Sequence, residues 1–506
     1  MPSQTALANE ASFREALSLL KEVEVCGAED DEPDRCSNLH LAAAGCTLWG
    51  LQLVWSTIFA RGTAYLSLIG IPMSVSALLW ISGPLSGMIV QPILGAISDS
   101  YEPKVAGRNK RKPFILGGAI ATAISMTGLA WTPNIVVFLE QFFGREYETT
   151  LLIVNAFVWV WSLSISVQPL QGGVRTLLHE VCSKRAQSRF AAWQGVLVAF
   201  GTVCGYFLAS VPIGGQSGAW QEIWRFQNLS ALVAVVLLLC SAITVACPYT
   251  TSYKKTTPSA AKTSCTSSLT GALQRNMDCL RTLPRTVQLT LQVQFFSWLG
   301  WFPALYYQTA YLAGLYKSTR RSGKAVTQDV AEQAAFDSVP FTIVMLSTAI
   351  ALALASEWLD FSAKRAKTRS TTNSLIMLVN LWLAGHVLFA IAMVLCLFAQ
   401  NEWQGVWLFA LIGVPRALST WAPFVLVGRE VTGSQYAGTL TSLHNAALSA
   451  PQILAAGLCG VLFMLVKLLA WDGQNQTRWA MLVACVSGGL ATWRSWHLRH
   501  EVMSQV

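Results

Sequence analysis

Charge is what this sequence has least of. Only 12% of its 506 residues are Asp, Glu, Lys or Arg, against about 25% in an ordinary soluble domain. That scarcity excludes a water-solvated globular surface. The twelve cysteines fall into no metal-ligand spacing, and several (Cys204, Cys240, Cys396, Cys459, Cys485) lie inside apolar runs. They read as reduced thiols packed as small apolar groups, which excludes a disulfide framework or a zinc module. There is no nucleophile elbow, no phosphate-binding loop and no His/Asp/Glu metal motif, so nothing points to an enzyme or a bound cofactor. No cleavable leader is visible, because the first forty residues are polar and acidic, including "GAEDDEPD" at 27–34. The first membrane helix is therefore expected to direct insertion.

What is abundant is apolar length. Hydrophobic residues make up 53% of the chain, with 20 tryptophans, a residue that favours membrane interfaces. Runs of about 20 residues span a bilayer at 1.5 Å per residue. They lie at Leu41–Ala60, Pro72–Ile97, Phe114–Thr132, Leu151–Leu178, Phe190–Val211 and Trp224–Ala246. After a polar stretch from Pro248 to Arg285 they resume at Val287–Tyr316, Ser338–Leu359, Thr372–Ala399, Trp403–Gly428, Tyr436–Ala470 and Arg478–Trp496. The expectation is an all-α membrane protein of about twelve transmembrane helices in two six-helix bundles. Its parts are a tail (1–40), a first bundle (41–246), a linker (247–286), a second bundle (287–497) and a short tail (498–506).

The net charge of +9 comes from basic loops and implies no nucleic-acid partner. Lys104, Arg108, Lys110, Arg111 and Lys112 follow the second run; Lys184, Arg185 and Arg189 follow the fourth; more basic residues fill the linker and the loop after the eighth run. Lys/Arg-rich loops stay in the cytoplasm, which puts both termini there, although Lys317, Arg320, Arg321 and Lys324 fall on the other side. That topology exposes the sequon at Asn475 to glycosylation; a second, at Asn228, starts a span. Phe13, Leu17 and Leu20 share a helical face in the N-terminal segment, which either docks on the cytoplasmic surface or hangs free.

Six plus six spans around a cytoplasmic linker is the plan of a major facilitator transporter. "GAISDSYEPKVAGRNKRKPFI" resembles that superfamily's signature after the second helix. Asp99 ends a helix there, where its carboxylate can meet Arg108 or Lys112 and a neighbouring helix N-terminus, forming a gate. Lys110 and Arg111 read instead as plain cytoplasmic anchors. The longer stretches "LWISGPLSGMIVQPILGAISD", "LQGGVRTLLHEV" (170–181), "WLGWFPALYYQTAYLAGLY" (298–316), "GVPRALSTWAPFVLVGREV" (413–431) and "SLHNAALSAPQIL" (442–454) resemble the sucrose and glycoside symporters, the last two its fungal branch most closely. The resemblance implies a monomeric, proton-coupled sugar symporter with the lipid bilayer and a small solute as partners.

The sequence departs from that pattern where protons are carried. Ser164 stands where the resemblance expects an Asp before Arg175, and "YQTA" at 307–310 replaces an acidic "FDTD". His444 is the titratable group left to bear a coupling proton. Arg175 matches the implied substrate-contacting Arg, with snorkelling to the cytoplasmic face as the alternative. Arg416 is an extra intramembrane Arg, facing either a watery cavity or a partner such as Glu430 or a carbonyl. Glu180, Glu357, Asp360 and Glu430 read as peripheral acids. Gln91, Gln171, Gln308, Asn445 and Gln452 can bond sugar hydroxyls, and Trp298, Trp301, Tyr307 and Trp421 can cover a pyranose face. Two functions stay open: sugar or glycoside uptake, implied by the resemblance, and export of a carboxylate-bearing secondary metabolite, favoured by the lost acids and Arg416. The membrane is the plasma or the vacuolar one.

Overall fold

The computed structural model describes residues 37–71, 79–101, 109–181, 187–211, 219–247, 283–319, 327–366, 371–432, 436–469 and 477–504, with a few isolated positions besides. Among them every regular element is helical. Helix α1 (Asn38–Thr57) starts on Ser37, whose side chain accepts from His40 N, and passes through a π-helical turn into α2 (Thr63–Leu68). Gly70, at φ 88°, then reverses the chain in a conformation that needs no Cβ. Next come α3 (Ser82–Ser100), α4 (Lys112–Ala130), α5 (Thr132–Phe143), α6 (Glu148–Val181), α7 (Gln187–Ser210) and α8 (Ala219–Ala246). Proline in the first turn of both α4 and α5 suits helix starts, where its missing N–H has no partner to lose. The second half holds α9 (Arg285–Tyr306), α10 (Gln308–Thr319), α11 (Thr327–Asp337), α12 (Val339–Ala366), α13 (Thr371–Phe398), α14 (Glu402–Val431), α15 (Ala437–Leu468) and α16 (Arg478–Ser504).

Nine spans among the described residues are long and apolar enough to cross a bilayer. The other three long helices, α3, α9 and α16, complete two sets of six. Their extra polarity has a local source: Ser98, Asp99 and Ser100 end α3; Gln288, Gln292 and Gln294 punctuate α9; Arg494, His497 and Arg499 close α16. The run expected at Val287–Tyr316 is not one helix. Pro303 sits in the last turn of α9, and Tyr307 leaves helical geometry at ψ 3° before α10 resumes. A proline removes one backbone donor and crowds the preceding turn, so the chain breaks where the helix would otherwise continue.

The packing repeats. In the first half, the first long helix (α1) packs on the fifth (α7) and sixth (α8), the third (α4) on the fourth (α6) and sixth, and the second (α3) on the fourth. In the second half, α9 packs on α15 and α16, α13 on α14 and α16, and α12 on α14. These are the same five pairs shifted by six helices, so the halves are related by a pseudo-two-fold axis. The halves meet through α3 with α15 and α7 with α12, a pair of contacts that the same axis interchanges.

Polarity runs inside out. Phe207, Val235, Leu239, Ile124 and Leu395 point outward, exposed as a bilayer-facing surface requires, while Thr47, Gln91, Gln294, Gln308 and His444 are buried. The first half has one contiguous apolar core from Leu41 to Leu237. The second builds around Trp301, Phe389 and Phe409, with Trp382 in an adjoining cluster.

Candidate functional site

The seam between the halves is where buried polarity collects. Gln171 and Arg175 lie four residues apart on α6 and so share a face. Both reach across to α15: Gln171 Nε2 and Arg175 Nη1 donate to Asn445 Oδ1, at 2.9 and 3.1 Å. The Arg175 guanidinium also lies 5.1 Å over the ring of Phe424 on α14. His444 places its ring 4.7 Å from Phe424 and its Nε2 3.1 Å from Gln294 Nε2 on α9. One aromatic ring therefore touches both a guanidinium and an imidazole, and four helices from both halves meet in this cluster. The Arg175 guanidinium thus turns to Asn445 in the second half.

Arg416 lies against two indoles of α9, 4.8 Å over Trp298 and 5.4 Å over Trp301. Trp301 is itself pinned, its Nε1 donating to Ser419 Oγ at 3.3 Å. Desolvated cation–π contacts of this kind contribute about 2 kcal/mol. The alternative partner Glu430 is excluded by geometry, because fourteen residues on one helix set it about 21 Å away. Arg416 Nη1 and Arg175 Nε are buried and donate to no described group. No described carboxylate pairs with either arginine, and the Arg416 charge acts on Arg175. Two buried cations thus have no described counter-charge.

The amides divide. Gln91 on α3 and Gln308 at the start of α10 are fully buried, and neither amide atom of either is bonded. Gln91 lies beside Gly172 of α6, where a Cβ would come within 3.3 Å of its Nε2. Gln452 turns back to donate to Leu448 O of its own helix, at 2.9 Å. Tyr307, at the break between α9 and α10, packs edge-on to Phe463 at 5.3 Å. Of the expected sugar-stacking faces, Trp301 is fully covered and Trp421 is held by Ser188 O at 3.1 Å, so both serve packing. Ser164, where a carboxylate was expected, bonds Ser82 Oγ at 2.7 Å.

Asp99 reaches a neighbouring helix N-terminus as expected, but its described basic partner is Arg111 and not Lys112. Asp99 Oδ1 accepts from Arg111 Nη2 at 2.6 Å and from Gly438 N at 2.9 Å. Its Oδ2 accepts from Thr439 N and Thr439 Oγ1, at 2.9 and 3.0 Å. The carboxylate therefore seats on the first turn of α15, in the other half, where unpaired N–H groups attract an anion. Lys112 is not part of this; its Nζ donates to Cys247 O at 3.2 Å, because it is the first residue of α4 and points to α8. Arg108 lies outside the described residues, as do Asn475, the N-terminal segment and most of the linker. Arg111, expected to be a surface anchor, is fully buried. It also binds Glu180 Oε1 at 2.6 Å and Ser98 Oγ at 2.5 Å, so Glu180 is not peripheral. Burial alone would push the Arg111 pKa down, but Glu180 and Asp99 outweigh it and hold the guanidinium above its ordinary value.

Further ties close the same end. Gln187 Nε2 donates to Thr432 Oγ1 at 2.7 Å while its Oε1 meets His179 Nδ1 at 2.9 Å. Glu357, another acid read as peripheral, accepts from Trp193 Nε1 and Asn38 Nδ2 of the first half, at 2.8 and 2.7 Å. Sequence reading missed Phe424, Gln294 and Arg111. The available signal was the glutamine spacing in "VQLTLQVQF"; Arg111 had none beyond its four basic neighbours.

No protein-family model matches the chain. It is 25% identical to the general alpha-glucoside permease of Schizosaccharomyces pombe, over 91% of this chain and 94% of that one. It is 23% identical to sucrose transport protein SUT1 of Oryza sativa subsp. japonica, over 82% and 81%. Among solved structures it resembles the major facilitator transporter FucP in its outward conformation, with a TM-score of 0.58, 12% identity and coverage of 90% and 98%. The chain is thus an integral, multi-pass membrane protein with the major facilitator fold, similar along most of its length to sucrose and glycoside transporters.

Proposed function

We propose that this chain is a secondary transporter working by alternating access, and that it carries a small polar solute of the sugar or glycoside class. The halves 41–246 and 287–497 rock about the seam. The binding residues are Gln91, Gln171, Arg175, Tyr307, Gln308, Arg416, His444, Asn445 and Gln452. The observation that carries the reading is a buried amide in each half, Gln91 and Gln308, whose hydrogen-bonding capacity is unfilled, beside a cluster of polar groups that joins the halves. Buried groups left unbonded cost about 1–3 kcal/mol each, and a polyhydroxylated solute offers the donors and acceptors that Gln91 and Gln308 lack. The relatives named for alpha-glucosides and sucrose support the same class.

In this reading the Asp99 cluster is a latch. It holds α3 to the N-terminus of α15 while the opposite end admits solute, and it releases when the halves rock. Glu180 remains with Arg111 on the first half and keeps that buried charge paired in both states. Positive-inside loops put the latch and both termini in the cytoplasm, in the plasma or vacuolar membrane. The chain needs no cofactor and acts as a monomer. Ser164, Gln308 and Ala310 cannot carry a proton, so coupling, where it occurs, runs through His444 in the seam.

A second reading is favoured by one observation, the two arginines without a carboxylate. They suit a solute that brings its own acid, such as a carboxylate-bearing metabolite moved outward. Purified protein in proteoliposomes separates the two. Counterflow of labelled sucrose and maltose is expected if the sugar reading holds, and counterflow of organic acids if the second does. Arg416→Leu should abolish the anionic flux; a variant that transports acids unchanged rules out the anion site. A rate that does not vary from about pH 5 to pH 8 rules out His444 as the coupling group.

A further inference from the structure

At the end of the bundle away from Asp99 lies a pair of carboxylates that the seam does not use. Asp337 ends α11 and Glu402 begins α14. One amide serves both: Gln333 Nε2 donates to Asp337 Oδ1 at 2.8 Å and to Glu402 Oε1 at 3.3 Å. An oxygen of each carboxyl group therefore lies within 3.3 Å of the same nitrogen. Asp337 is only 6% exposed, and its second oxygen, Oδ2, accepts nothing. Two ionised carboxylates at this separation repel, and a buried oxygen without a donor is unfavourable. One proton placed between them resolves both problems.

We propose that Asp337 and Glu402 share a proton, making a titratable site at this end of the transporter. The bound proton is donated from one carboxyl oxygen to the other, and the pair changes from two negative charges to one. The groups acting on Asp337 among the described residues are Gln333 and Glu402. Elements packed against α11 are α10, α7 and α12. At this end they bring Tyr311, Tyr316 and Lys317 from α10 and Tyr206 from α7. Arg189 on α7 and Glu357 on α12 belong to the opposite end, as do Arg429 and Glu430 on α14, whose Arg416 lies in the seam. Tyr311 is engaged with Cys396 O. The side chains of Asp329 and Glu332 on α11 itself lie outside the described residues. The position gives the site a consequence. α11 leans on α7 of the first half, and the shared proton ties it to α14 of the second, so the proton state sets how firmly this end is closed.

The test needs no transported solute, so its outcome is independent of the function proposed above. Full-length protein in lipid nanodiscs is stepped from about pH 8 to about pH 5 while infrared difference spectra are recorded. The wild type should gain a protonated-carboxyl stretch that is missing from Asp337→Asn and, separately, from Glu402→Gln; should one variant fail to fold, the other decides. A band that survives the substitutions, or none in the wild type, overturns the proposal. So does a band abolished at fixed pH by replacing choline with sodium, which makes the pair a cation site. Spin labels at the exposed Phe336 and Trp403 should report a distance distribution that narrows on acidification in the wild type and ignores pH in Asp337→Asn. A wild-type distribution indifferent to pH overturns the closing role.

Discussion

Asp99→Asn isolates the latch from the fold. The wild-type carboxylate takes three hydrogen bonds from the first turn of α15, from Gly438 N, Thr439 N and Thr439 Oγ1, and one from Arg111. Asparagine keeps one acceptor oxygen and puts an NH2 where the other stood. If that NH2 faces Thr439, the bond from Thr439 N is lost and its N–H is left opposed to a donor, while Thr439 Oγ1 must turn from donor to acceptor; the remaining bonds lose their charged acceptor. Hydrogen bonds to a charged group contribute about 1.5–3 kcal/mol each. Water replaces part of that when the halves separate, so the net loss in the latched state is about 3 kcal/mol. This shifts the closed-to-open ratio at this end about a hundredfold. Arg111 stays paired with Glu180 at 2.6 Å, so the first half retains its buried charge pair and folds. The assay is the distance between spin labels at Tyr101 and Tyr436, both exposed and flanking the latch. The wild type should give a short, narrow distribution, and Asp99→Asn a second, longer population that dominates. A single short population in the variant, with an unchanged melting temperature, refutes the latch.

Three further outcomes follow from the seam. Asn445→Ala removes the acceptor shared by Gln171 and Arg175 and should raise the apparent KM for solute about tenfold, for a loss of roughly 1–3 kcal/mol; counterflow kinetics measure it. Gln308→Leu replaces a buried, unbonded amide with an apolar group of similar size, so it should raise the melting temperature of the purified protein while weakening solute binding; a fall in both would mean that the amide is bonded within the fold. Gly95→Val tests the α3–α15 approach. A Cβ at Gly95 would come within 2.7 Å of Gly438 O, backbone that cannot swing aside, so the variant should populate the unlatched state in the Tyr101–Tyr436 measurement.

Much of this architecture was legible because a bilayer imposes a one-dimensional rule. Twelve apolar runs of spanning length map onto twelve long helices, since within lipid each backbone group must be satisfied inside its own segment. The break at Tyr307 was less legible, although Pro303 marks it, because an apolar run looks the same on either side of a kink. Charge partners were the least legible. Asp99 is identifiable from its place at the end of a glycine-rich helix, and so is its seat on a helix N-terminus, but the sequence points to Arg108 or Lys112 as its basic partner where the structure has Arg111. Five basic residues lie within nine positions, and only the start of α4 decides which one turns inward. Arg111 precedes the first helical residue and folds back under α3, whereas Lys112 rotates onto α8.

The acids at helix ends are hard to read for the same physical cause. Glu180 and Glu357 lie at helix ends, and a carboxylate at a helix end reads as solvated when the chain is followed alone. In the folded chain those ends are where the halves meet. A rocking transporter needs its reversible contacts at the ends of helices, because only there do the halves separate far enough for water to replace the lost bonds. Mid-seam contacts never open as widely, so they can be left unsatisfied for a solute to complete. Gln91 and Gln308 are unbonded, and Arg175 and Arg416 have no described carboxylate partner, while Asp99, Glu180, Gln187 and Glu357 are engaged at one end. In the proposed transporter, that division separates residues that bind from residues that gate. It also places Asp337 and Glu402, at the other end and sharing one amide, among the groups expected to gate.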